Sequence, residues 1–93
     1  MKWFTNDFKH PETGGLCRFC WNDADETIQM QPSPNELRNG FSSVWEISKA
    51  ACAKWGIHSC GSMHEAERFI NSSFPEVWKH WADGSETIWT AQK

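Results

Sequence analysis

Four cysteines in a chain of 93 residues constrain this fold more than any other feature. They are Cys17, Cys20, Cys52 and Cys60, and the first pair forms a C-x2-C, Cys17-Arg18-Phe19-Cys20, behind Gly14-Gly15-Leu16. Two thiolates at that spacing on a tight turn can face one tetrahedral metal, and two further soft ligands complete the shell. Cys52 and Cys60 can supply them. Four thiolates leave no open position for water, so the expected cofactor is a structural Zn2+. Domains this short bury a small share of their surface and gain from such a staple.

The ligand set has alternatives. His64 lies four residues after Cys60, so Cys17, Cys20, Cys60 and His64 form a Cys3His candidate, with His58 as a further alternate. Cys52 would then be a small buried hydrophobe, a common fate of free cysteine. A chain without metal is the third possibility. A thioredoxin-like role for Cys17 and Cys20 fits poorly, because His10 to Gly15 reads as no strand and Asn22 to Glu26 as an acidic loop. Acidic neighbours raise a thiol pKa, the opposite of what an attacking thiolate needs.

The segment Cys52-Ala53-Lys54-Trp55-Gly56-Ile57-His58-Ser59-Cys60, taken with the C-x2-C, resembles the zinc site of BIR domains. In that family a helix ligand is followed by a Lys-Trp pair, a turn and the last cysteine. The likeness is local: Cys52 stands where the family has histidine, and the gap from Cys20 to Cys52 is longer than the family's. What the resemblance implies is a metal shared by a ligand at a helix end, Cys52, and one in the following loop, Cys60.

The rest of the chain reads as α+β, in one domain over 1–93. Trp3-Phe4 and Thr27 to Met30 suit short strands around a zinc knuckle, and Pro32-Ser33-Pro34-Asn35 suits a loop. Three helices follow. The first runs from about Val44 to Trp55, capped by Ser42 or Ser43 and ended by Gly56. Val44, Ile47, Ala51 and Trp55 form its apolar face, with Trp45 and Cys52 alongside. The second starts at Ser62 with Glu65 three residues on, a capping box, and buries Met63, Ala66, Phe69 and Ile70. The third starts at Pro75 and ends near Ala82 before Asp83-Gly84. A final strand is expected over Glu86 to Thr90.

Net charge is −3 and no two of the nine Lys and Arg are adjacent. Duplex binders usually carry a basic stripe for phosphate contacts, so nucleic acid is disfavoured as a partner. The first helix pair also lacks the apolar positions that a helix-turn-helix needs in its second helix, where Ser62 and Glu65 stand. No apolar run nears the roughly 20 residues of a membrane span, and Met1 to Pro11 resembles no signal peptide. A cytoplasmic protein is expected.

His10, His58, His64 and His80 come without a nucleophile motif, so no catalytic set is expected and the chain reads as no enzyme. Seven Trp exceed what a small core needs. Trp78 and Trp81 share a helix face, and Trp21 stands among acidic residues; these three are the candidate contacts to a partner protein. The function expected is a non-enzymatic protein-binding module, an adaptor or small inhibitor of the kind phages and mobile elements carry. A zinc-finger regulator on nucleic acid is the alternative, and a metal-dependent enzyme the third.

Overall fold

The computed structural model describes residues 1–39, 43–84 and 88–92. Its centre is a strand where a metal knuckle was expected. Leu16–Asn22 alternates Cys17, Phe19 and Trp21 with Arg18, Cys20 and Asn22, the period-two pattern of a β-strand. Neighbours on both sides hold it. We call it β3, after β1 (Lys2–Thr5) and β2 (Phe8–Lys9), and before β4 (Thr27–Pro32). Two further strands, β5 (Ile57–Ser59) and β6 (Trp89–Gln92), complete a six-stranded antiparallel sheet ordered β5-β4-β3-β1-β6, with β2 also paired to β3.

The sequence expectation of α+β with three helices therefore holds, with more strand than expected. The helices are α1 (Ser43–Trp55), α2 (Met63–Ser73) and α3 (Pro75–Ala82). Ser62 caps α2 by accepting from the Glu65 amide at 3.2 Å, and Pro75 opens α3 at a position where its missing N–H costs nothing. Gly56 ends α1 with φ of +84°, a left-handed value that favours glycine. The Ser42 cap and the Glu86-Thr87 start of the last strand lie outside the described residues. Pro34–Asn39 forms a 3-10 turn after β4.

Registers assign each residue to a face. Phe19 pairs with Met30 and Trp21 with Ile28, and these four are buried under the helices. Phe4 pairs with Cys20, on the opposite face, where the Arg18 guanidinium lies 3.8 Å from the Phe4 ring centroid. From Phe4 to Phe8 is four residues, yet their partners Cys20 and Cys17 are three apart. One extra residue bulges the chain between β1 and β2 and turns Phe8 to the helix side. The Thr5 hydroxyl accepts from the Phe19 amide at 2.9 Å within that bulge.

Phe8 then stacks on Phe19 with ring centroids 5.0 Å apart. Trp55, Phe74 and Trp81 close around the same Phe19 ring at 5.3, 5.6 and 6.3 Å. Ala66 and Ile70 seal the core from α2, as the apolar spacing of that helix predicts. The first helix is rotated from its expected face: Ser48 and Cys52 point inward, whereas Ile47 is 55% exposed. Thr13 explains the inward serine, because its hydroxyl lies 3.0 Å from that of Ser48 and ties α1 to the β2–β3 hairpin.

Candidate functional site

The four cysteines do not converge. Cys17 and Cys20 lie three apart in one strand, which sends their side chains to opposite faces of the sheet. Cys17 is on the helix side and Cys20 beside Phe4. Cys60 accompanies neither. It follows β5 and donates its amide to the Glu26 carbonyl, at the far end of β4 from Pro32, which pairs with Cys17. Six strand residues separate those levels, about 20 Å at the usual rise. Thiolates sharing a zinc ion lie within about 4 Å of one another, given the ~2.3 Å metal–sulfur bond.

The expected set Cys17, Cys20, Cys52 and Cys60 is thus not gathered at one point in this structure, and neither is the Cys52–Cys60 pair that the BIR likeness implies. The Cys3His alternative fails by the same distance. His64 is 76% exposed in its side chain and lies 3.8 Å from Glu67. His58 donates to the Trp55 carbonyl at 2.7 Å and packs against the rings of both Trp55 and Phe69. Among the described residues, no group of three or more His, Cys, Asp or Glu side chains is placed to share a metal. Treatment with a strong chelator is accordingly expected to leave the thermal midpoint unchanged. A fall of several degrees, with stoichiometric zinc found in the untreated sample, would reinstate the metal.

What the fold does bring together is Cys17 with Cys52. Their sulfurs lie 4.0 Å apart between β3 and α1, and all four cysteines are free thiols. Cys17 also reaches the Gly15 carbonyl at 3.8 Å. The two thiols ionise unequally. The hydrogen bond between the two sulfurs holds the Cys52 thiol below its ordinary value, against the opposing effect of burial. The same hydrogen bond, then burial, pushes Cys17 up. Burial raises Cys20, and burial with the Glu65 charge raises Cys60.

The tryptophans are placed otherwise than expected. Trp21 is 3% exposed and Trp81 7%, both in the core, and Trp78 packs half-buried against it. Each of the seven Trp is buried or half-buried. The helix-facing side of a five-strand-wide sheet, plus three helices, offers more apolar area than a zinc knuckle would have done.

One cleft gathers both apolar walls and polar groups. It lies between the β2–β3 hairpin, α1 and the start of α3, with a volume of about 340 Å³. Met30, Trp55 and Phe74 line it together with His10, Glu12 and Lys54. His10 is fixed there because its Nδ1 accepts from the amides of Glu12 and Thr13, at 3.1 and 3.3 Å. That fixes the tautomer too, with the proton on Nε2. The hairpin loop closes through the Gly14 amide on the His10 carbonyl at 2.8 Å, with Gly14 at φ +74°.

Sequence reasoning placed Trp55 at a helix end but did not place His10, Met30 and Phe74 beside it. The run from His10 to Gly15 was legible only as no strand, and its docking on α1 was not legible. No helix among the described residues is long and apolar enough to cross a membrane. No protein-family model matches the chain, and no curated protein or solved structure matches it either.

Proposed function

We propose that this chain is a non-enzymatic protein-binding module, an adaptor or small inhibitor, whose anchor point is the cleft of Met30, Trp55 and Phe74. The observation that carries the reading is the pairing of an apolar floor and walls with polar groups in the same hollow. Binding sites of this kind take their affinity from apolar contact and their orientation from a few placed polar groups. The volume of about 340 Å³ is at the small end for a ligand cleft, which suits an inserted side chain of a partner. His10 would offer its Nε2 proton as a donor, and Lys54 and Glu12 would select a partner by charge.

Four free thiols suit a reducing compartment, so the cytoplasm is the proposed location. The proposal requires no zinc. Nucleic acid is a weaker fit, because bases stack on uncovered aromatic faces and the Phe4 ring on the open sheet face is covered by Arg18.

Ala51 provides the test. It is a half-buried helical residue that lines the cleft, so Ala51→Phe should fill the hollow and leave α1 intact. A partner co-purified with the wild type should bind the variant at least about tenfold more weakly, a loss of some 1.4 kcal/mol. The variant's melting temperature should stay within a few degrees. A partner held equally well by the filled cleft would sink the reading, as would recovery of no partner at all.

A further inference from the structure

The Cys17–Cys52 pair is independent of the cleft and of any partner. Its two sulfurs are 4.0 Å apart, on elements that the core holds together, and they are not equally accessible. Cys17 has no exposed surface, whereas Cys52, 5% exposed, borders a surface hollow of about 410 Å³ that Gln29, Met30, Lys49 and Gly56 also line. A small solute entering there meets Cys52 first, with Cys17 directly behind it. Cys20 lies across the sheet and Cys60 beyond its far end, so neither can compete for a bond to Cys52.

We propose that Cys52 and Cys17 form a redox site for hydrogen peroxide, in which Cys52 is oxidised first and Cys17 closes a disulfide on it. Cys52 releases its proton, and its sulfur attacks one peroxide oxygen. The O–O bond breaks, the leaving hydroxide takes up that proton as water, and Cys52 becomes a sulfenic acid. The Cys17 sulfur then attacks the Cys52 sulfur. The S–O bond breaks, and the second hydroxide leaves as water with the Cys17 proton. One peroxide is reduced to two waters and two thiols are oxidised to one disulfide. Closing the bond needs the sulfurs to approach from 4.0 Å to about 2.05 Å, within reach of side-chain rotation and a small shift of α1.

The experiment treats the fully reduced chain with equimolar hydrogen peroxide, blocks remaining thiols with iodoacetamide, and maps peptides without reduction. The expected product has lost two hydrogens, joins the Cys17 and Cys52 peptides, carries alkylated Cys20 and Cys60, and reverts under a thiol reductant. In Cys17→Ser, dimedone should capture the sulfenic acid at Cys52. Oxidation of Cys60 or Cys20 ahead of the pair would overturn the proposal. So would conversion of Cys52 to sulfinic acid without the link, or four alkylated cysteines and no oxidation. The wild-type map decides the matter even if the serine variant fails to fold, and Cys20→Ala/Cys60→Ala should still form the link.

Discussion

Phe19→Ala is expected to remove most of the stability of this protein. Phe19 has no exposed surface, and the rings of Phe8, Trp55, Phe74 and Trp81 surround it from β2, α1, the α2–α3 junction and α3. Truncating a buried Phe to Ala costs about 3–5 kcal/mol, lost transfer energy plus the cavity left behind. Domains of this size have only about 5–15 kcal/mol in total. The urea midpoint should collapse, and the near-ultraviolet dichroism of the neighbouring tryptophans should fall with it.

Phe4→Ala serves as the control. The residue type is the same and the position is one pairing away, but on the opposite face, outside the main core cluster, where Phe4 is 9% exposed and the Arg18 guanidinium lies over its ring. Cavities that neighbours and solvent can fill cost less, so Phe4→Ala should be milder by at least about 1 kcal/mol. Equal losses would mean that the two faces of the sheet have been assigned wrongly.

The second large effect is at Gly15. A methyl group there would collide with the Ser48 hydroxyl and come 2.8 Å from Val44 Cγ1, both on α1. Space, not backbone conformation, forbids the side chain. Gly15→Ala therefore forces the Ser48 and Val44 side chains to give way, by rotation or by a shift of α1, and in either case strains the Thr13–Ser48 hydrogen bond. Overpacking of this kind costs roughly 1–3 kcal/mol, and the loss of the hydrogen bond adds to it. Urea denaturation should show the loss. Adding Ser48→Ala to Gly15→Ala should return part of it by removing the nearest atom, while Val44 keeps the rest. A Gly15→Ala chain as stable as the wild type would show that α1 does not sit on the hairpin as described.

Gly14 next door makes the contrast. A methyl group there would meet nothing within 4 Å, but φ is +74°, so alanine would strain the backbone instead. That penalty is about 1–2 kcal/mol and no change on α1 would relieve it.

The helices were legible in the sequence because their determinants are local. Ser62 with Glu65, Pro75 and Gly56 act within a turn of where they stand, and α2 and α3 begin where those residues place them. The orientation of α1 was not legible. Its Ile47 looked like core by spacing, but Ser48 faces inward because Thr13, distant in the chain, supplies its partner. The candidate cleft was hidden for the same reason: its walls come from β4, α1 and the residue ahead of α3.

The cysteines show where local reading stops. Residues three apart face one ion on a tight turn and opposite ways on a strand, so the meaning of Cys17 and Cys20 depended on the conformation of Leu16–Asn22. The alternation of Cys17, Phe19 and Trp21 was a visible sign of strand. By itself the chain determined three helices and an abundance of aromatic side chains to pack beneath them. Only tertiary pairing, with β1 and β2 on one side and β4 on the other, decided that the segment is extended, because a strand's hydrogen bonds are satisfied by residues far away in the chain. That decision separated Cys17 from Cys20, and packing of α1 on the sheet joined it to Cys52.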